Sequence, residues 1–138
     1  MRPIILTVDD EHDVTELIGL HLVRAGFEVE TADTGRSALE RIRQRRPNLV
    51  ILDLMLPDID GFGVCEILRR HPDTATLPII ILSAWTSPDS RHLGLDLGAL
   101  DYLTKPFSPR EVVARVQRLL DLSSEGARRP LPRVDSHA

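Results

Sequence analysis

Cysteine is almost absent from this 138-residue chain, which contains a single one, Cys65. A lone cysteine excludes an internal disulfide framework and a metal site built from several thiolates, and it is typical of proteins from a reducing compartment. We interpret Cys65 as a buried, unreactive thiol in the third helix, without a function of its own.

Long apolar runs are also missing. The first apolar stretch, Ile4 to Val8, is too short for a signal-peptide core or a membrane span and leads directly into acidic residues. The formal net charge of -4 creates no basic field that would attract nucleic-acid phosphates or acidic membranes. We therefore expect a cytoplasmic protein that binds neither nucleic acid nor membrane directly.

The chain does contain a regular alternation of short β-branched runs with segments of helical period. This alternation predicts an α/β fold around a parallel sheet. Three of the runs are continuously apolar, as in strands that helices cover on both faces. The five predicted strands are Ile4 to Asp9, Phe27 to Thr31, Asn48 to Asp53, Leu77 to Ser83 and Leu100 to Thr104.

The length fits one compact domain with a single tail. From Ser123 the apolar period is lost and the residues become serine, arginine and proline. We therefore predict a folded domain over residues 1–122, and a flexible C-terminal tail or linker stub over residues 123–138.

Polar side chains follow the predicted strands where these end. Asp9 and Asp10 end the first strand, Asp53 the third and Ser83 the fourth, and Lys105 follows the fifth. Because parallel strands have their carboxyl ends at one edge of the sheet, where open α/β folds bind ligands, these side chains should converge. Taken singly, each is explained more simply as a helix cap, a turn residue or a solvated charge.

Their combination favours a functional site. Three crowded carboxylates repel one another, and a cation or raised pKa values must relieve that repulsion. A set of oxygen ligands suits Mg²⁺, which often shares its coordination shell with a phosphate. The five histidines show no metal-ligand spacing.

Four segments closely resemble the receiver domains of two-component signalling systems, and the resemblance runs in order from about Pro3 to Leu122. Together they are highly specific, although two adjacent aspartates or a Lys-Pro pair alone would mean little. The segments are Val8-Asp9-Asp10-Glu11, Leu52-Asp53-Leu54-Met55-Leu56-Pro57-Asp58-Ile59-Asp60-Gly61, Ser83-Ala84 and Tyr102-Leu103-Thr104-Lys105-Pro106-Phe107.

The resemblance implies a flavodoxin-like (βα)5 three-layer sandwich with a parallel five-stranded sheet of order 2-1-3-4-5. It implies that Asp53 accepts a phosphoryl group from a sensor histidine kinase or a phosphotransfer protein. The implied ligands of Mg²⁺ are Asp9, Asp10, Asp53 and the backbone carbonyl of Met55.

The resemblance also implies how the other residues of the site act. Ser83 and Lys105 would contact the phosphoryl oxygens, and the Lys105-Pro106 peptide would be cis. After phosphorylation Ser83 would move toward the new group, and Tyr102 would swing inward into the space that it leaves. The expected output is a changed surface on the fourth helix, fifth strand and fifth helix.

The run from Ser108 to Arg115 is similar to receivers of winged-helix transcription factors, which form homodimers through this surface. That similarity implies two charge pairs between subunits, Arg91 with Glu111 and Asp101 with Arg115. Leu93, Leu100 and Gln117 depart from the subfamily pattern. The two leucines fit a partner surface or isolated exposed side chains equally well.

Met55 and Trp85 lie two residues beyond Asp53 and Ser83, at positions that in the family influence the access of water to the acyl phosphate. Both are bulky and apolar, so we predict slow self-dephosphorylation.

Three other functions compete with this interpretation. A phosphohydrolase that forms an aspartyl phosphate typically has a second aspartate where this chain has Met55, so we expect no enzyme with external substrates. A flavodoxin-like electron carrier would need a phosphate-binding loop after the first strand, where this chain is acidic. A docking module independent of phosphorylation would have no use for the intact acids, Ser83 and Lys105.

Overall fold

The computed structural model describes the backbone of residues 2–128 and the side chains of residues 2–121. Five parallel strands form one sheet of order β2-β1-β3-β4-β5, which confirms the expected α/β fold and strand order. The elements in chain order are β1 (Ile4–Val8), α1 (His12–Arg24), β2 (Glu28–Ala32), α2 (Gly35–Gln44), β3 (Leu49–Leu52), α3 (Gly61–Arg70), β4 (Ile79–Ser83), α4 (Pro88–Asp96), β5 (Asp101–Thr104) and α5 (Pro109–Arg128).

The sheet has an apolar layer on each face, because successive side chains of a strand point to opposite sides. In β1, Ile5 packs with residues of α1 and α5, whereas Leu6 and Val8 pack with residues of α2 and α3. The central strands β3 and β4 are buried along their whole length. This arrangement is the expected three-layer sandwich, and it explains why those strands are continuously apolar.

Two glycines end helices in a conformation that other residues rarely adopt. Gly26 follows α1 with φ +100°, and Gly98 follows α4 with φ +98°. Glycine reaches this left-handed region without a steric penalty, so the chain can turn sharply into the next strand. Within residues 2–128, no helix combines the length and the apolar character that crossing a membrane requires.

The domain boundary predicted at Leu122 lies inside α5, which continues to Arg128. The residues just after Leu122 include no proline, so nothing in them stops the helix. The rest of the predicted tail, residues 129–138, lies outside the described residues.

Cys65 lies fully buried in α3, where burial raises the pKa of its thiol to about 11. Because the thiolate is the reactive form, we expect iodoacetamide to alkylate the native protein at least about 100-fold more slowly than the unfolded protein. Intact mass after alkylation with and without guanidinium checks this. Equal labelling rates in the two conditions would show that the thiol is accessible in the native state.

Candidate functional site

The sheet register places Asp9 and Asp53 side by side. Val8 pairs with Leu52 as the last residues of β1 and β3, and an aspartate directly follows each of these strands. The backbone N–H of Asp53 continues the ladder by donating to the carbonyl oxygen of Val8 at 3.0 Å. Both carboxylates are buried, with 4% of each residue exposed. Asp10 follows on the surface, and one carboxylate oxygen from each aspartate lies within 4.8 Å of the others.

Lys105 brings the opposite charge to these carboxylates. Its backbone N–H donates to the carbonyl oxygen of Ser83 at 2.8 Å, and its peptide bond to Pro106 is cis, the isomer that the resemblance implies. The Nζ atom lies 2.8 Å from Asp9 Oδ2 and 3.2 Å from Asp53 Oδ2. Lys105 is the only lysine of the whole sequence. No other lysine of the sequence could therefore supply an ammonium group to this site.

Burial and charge act against each other at this cluster. Burial raises the pKa of Asp9, and although the hydrogen bond from Lys105 opposes this effect, the pKa remains above its ordinary value. Burial would lower the pKa of Lys105, but its hydrogen bonds to Asp9 and Glu11 raise the pKa above the usual range. The lysine is therefore firmly charged, and the carboxylates around it leave an excess of negative charge.

The chemistry of the donor set fits a hard divalent cation. The three aspartates offer only oxygen atoms, which Mg²⁺ prefers, and one ammonium group cannot neutralise all of them. Met55 is held beside the cluster because its backbone N–H donates to Asp53 Oδ1 at 3.2 Å. The residues predicted to bind Mg²⁺, namely Asp9, Asp10, Asp53 and Met55, are thus brought together.

Ser83 ends β4 as a fully buried residue, and its hydroxyl oxygen accepts the backbone N–H of Trp85 at 3.3 Å. Tyr102 is also buried, and its hydroxyl donates to the carbonyl oxygen of Trp85 at 2.8 Å. Gly94 of α4 packs close to this ring, since a Cβ there would lie 3.3 Å from Tyr102 Cδ2 and only 2.7 Å from Ile81 Cδ1. The tyrosine thus already occupies the inward position that the resemblance assigns to the phosphorylated state.

The charged residues of the expected dimer face find partners within one chain. Arg115 contacts Asp101 and also lies 3.2 Å from Glu111, four residues earlier in α5. The guanidinium of Arg91 lies over the Tyr102 ring, 5.5 Å from its centre. A dimer built on the predicted pairs would therefore have to exchange these contacts.

Apolar side chains on the same face are exposed. Leu93 and Leu100 have 45% and 53% of their surface accessible. This exposure is what either interpretation of the two leucines requires, because a partner surface and isolated surface side chains both need accessible residues.

Sequence reasoning assigned no role to three residues of the site. Glu11 Oε1 lies 2.9 Å from Lys105 Nζ, and the Phe62 ring packs against Trp85 with centroids 6.1 Å apart. Asp58 accepts two backbone N–H groups of α2. Glu11 and Asp58 lie in the segments that resemble receiver domains, and that position was a sequence signal for a role at the site. No local sequence feature indicates such a role for Phe62.

Comparison with known proteins gives a consistent result. A model of the response regulator receiver domain family matches residues 5–117. The chain is 47% identical to the transcriptional regulatory protein GltR of Pseudomonas aeruginosa over 116 residues. This alignment covers 84% of this chain and 48% of that protein. It is 45% identical over 127 residues to the alkaline phosphatase synthesis transcriptional regulatory protein PhoP of Bacillus subtilis, covering 92% of this chain and 52% of that protein.

Solved structures give the same result. A putative response regulator from Chloroflexus aurantiacus superposes with a TM-score of 0.83 at 42% identity, covering 88% of this chain and 99% of the other. The signal receiver domain of a putative LuxO repressor protein from Vibrio parahaemolyticus has a TM-score of 0.86 at 28% identity, covering 99% of this chain and 100% of the other. The chain spans about half the length of the curated relatives it matches.

Proposed function

The chain belongs to the family of response regulator receiver domains, and on this premise we propose that it is a Mg²⁺-dependent phosphoacceptor switch. In this proposal Asp53 accepts the phosphoryl group of a phosphohistidine on a sensor kinase or a phosphotransfer protein. The observation that carries it is the placement of a buried Asp53 between two further aspartates and the single lysine.

The chain's own residues would act as follows. An oxygen of the Asp53 carboxylate attacks phosphorus, the bond from phosphorus to the donor nitrogen breaks, and the electron pair leaves with the donor imidazole. Lys105 neutralises charge on the phosphoryl oxygens, and the Ser83 hydroxyl donates a hydrogen bond to one of them. Mg²⁺, held by Asp9, Asp10, Asp53 and the Met55 carbonyl, would supply further charge neutralisation as a Lewis acid. The product is an acyl phosphate on Asp53.

The signal would leave through the surface formed by α4, β5 and α5. The relatives are transcriptional regulators about twice as long as this chain, so we propose that this receiver belongs to such a regulator and acts in the cytoplasm. Phosphorylation would displace the Ser83 hydroxyl from the N–H of Trp85, next to the Tyr102 contact. A homodimer would then form through this face, with Leu93 and Leu100 inside it.

The test is incubation with Mg²⁺ and acetyl phosphate, followed by intact mass and size-exclusion chromatography. We expect the protein to gain the mass of one phosphoryl group and to elute earlier as a dimer. Chelation of the metal with EDTA should prevent both changes. A protein that gains no phosphate with any small donor would contradict the proposed function, and steady phosphate release from a generic phosphoester would favour the phosphohydrolase.

Met55 and Trp85 should also slow the loss of the phosphoryl group. Both side chains stand partly exposed beside the site, at 49% and 38% of their surface, and Phe62 supports the indole. They can shield phosphorus from water in line with the acyl bond. We expect the double substitution Met55→Asn and Trp85→Glu to speed decay of the phosphoprotein about tenfold, as followed by intact mass after removal of the donor.

A matched control for this double variant is Ile67→Asn, because Ile67 is an apolar residue of α3 with a similar exposure of 37%. Its decay rate should equal that of the wild type. The shielding role is rejected if the double variant also decays at the wild-type rate.

A further inference from the structure

The loop between β3 and α3 carries Met55, and it is tied to a helix that is distant in sequence. The two carboxylate oxygens of Asp58 accept the backbone N–H groups of Gly35 and Arg36, at 2.8 and 2.9 Å. These are the first two residues of α2. A carboxylate at a helix start is favoured by the free N–H groups and by the helix dipole. Here the carboxylate comes from a loop 22 and 23 residues further along the chain.

The helix does not need Asp58 in order to begin. Thr34 is the N-cap of α2, and its hydroxyl oxygen accepts the N–H of Ser37 at 3.0 Å. The Ser37 hydroxyl in turn accepts the N–H of Thr34 at 3.3 Å, which completes a capping box. Because α2 has its own cap, the two bonds to Asp58 act chiefly as a tertiary link between the helix and the loop.

The loop is also wedged between two helices by close packing. A Cβ on Gly35 would lie 2.9 Å from the carbonyl oxygen of Ile59, and a Cβ on Gly63 of α3 would lie 2.9 Å from Ile59 Cγ2. At its base the loop is closed by the N–H of Gly61, which donates to the carbonyl oxygen of Leu54 at 2.9 Å. The segment that contains Met55 is therefore held from both sides.

We propose that Asp58 is a positioning residue of the divalent-cation site. By fastening the loop to α2, it fixes the Met55 carbonyl relative to the aspartate cluster; this inference rests on the proposed function. Mg²⁺ demands nearly ideal octahedral geometry, so a small displacement of one ligand lowers affinity. Asp58 itself touches neither the ion nor the phosphoryl group.

The experiment is a titration with Mg²⁺ followed by two-dimensional NMR of the backbone amides, with the amides of Asp53 and Met55 as reporters. We expect Asp58→Ala to raise the Mg²⁺ Kd about tenfold, the lower end of what loss of a ligand-orienting partner costs. Asp58→Asn should have an intermediate effect, because its amide oxygen can accept one N–H while its NH₂ group faces the other. The milder variant provides the answer if the alanine variant fails to fold.

Thr34→Ala is the matched control, because it weakens the start of the same helix and leaves the link to the loop in place. We expect its Mg²⁺ Kd to stay within about twofold of the wild type while its melting temperature falls. Equal changes of Kd in the Thr34 and Asp58 variants would show that Asp58 acts only as a helix cap, and they would overturn the proposal. So would an unchanged Kd in both Asp58 variants.

The wild-type titration separates failure of this inference from failure of the proposed function. If Mg²⁺ shifts neither reporter amide in the wild type, the cation site itself is wrong and both proposals fall. If the wild type binds Mg²⁺ and the Asp58 variants bind it equally well, the positioning role alone is wrong.

Discussion

Substitution of Asp53 by asparagine is expected to abolish the gain of phosphate from acetyl phosphate. The amide is nearly the same size as the carboxylate and keeps an oxygen that can accept the N–H of Met55. It lacks the nucleophilic carboxylate oxygen that would form the acyl phosphate, so no phosphoprotein should be detected by intact mass. The variant should also remain a monomer under conditions in which the wild type dimerises.

Asp10→Asn is the matched control for this result. Asp10 belongs to the same aspartate cluster but is exposed, and its replacement leaves the acceptor Asp53 unchanged. We expect slower phosphorylation that higher Mg²⁺ concentrations partly restore, since a ligand is lost and the nucleophile remains. Full phosphorylation of the Asp53 variant would show that another residue is the acceptor.

Replacing Gly61 with alanine is expected to lower the free energy of unfolding by about 3 kcal/mol, at the upper end of typical overpacking costs. A Cβ on Gly61 would lie 2.6 Å from the carbonyl oxygen of Asp53 and 2.8 Å from Leu54 Cα. Both atoms belong to the backbone next to the phosphoacceptor, so relief requires movement of the chain at the site. We therefore expect weaker Mg²⁺ binding together with the loss of stability.

Urea denaturation and thermal unfolding measure this effect, and a fall of about 10 °C in melting temperature is expected for a chain of this size. Gly19→Ala in α1 is the control. Its new Cβ would have Val29 Cγ1 as its nearest neighbour at an ordinary 3.7 Å, so the higher helix propensity of alanine should raise stability by up to about 1 kcal/mol. Equal stabilities of the Gly61 and Gly19 variants would contradict the role of close packing at the site.

Much of the fold was predictable because the signals for it are local. A buried strand is recognised by a short apolar run, and a helix by its period, so all five strands were located to within two residues. The domain boundary at Leu122 stays a prediction, although α5 continues past it to Arg128. Loss of the apolar period marks the end of a buried face and does not by itself mark the end of a helix.

The candidate site was predictable for a related reason. Polar residues directly after apolar strands mark the edge of a parallel sheet, and this property can be read from each strand separately. It identified Asp9, Asp53, Ser83 and Lys105, which the structure brings together. The strand order that makes them neighbours came from resemblance to a family and was not encoded in their spacing.

By itself the sequence determined the class of fold, the composition of the acidic cluster and the single lysine that faces it. Only the tertiary structure decided which partners the charged side chains have. Glu11 contacts Lys105, Arg115 contacts Asp101 of its own chain, and Asp58 accepts a hydrogen bond from the first residue of α2. Periodicity records which side chains are buried. It does not record which distant residue lies opposite them, because that depends on how the helices pack across the sheet.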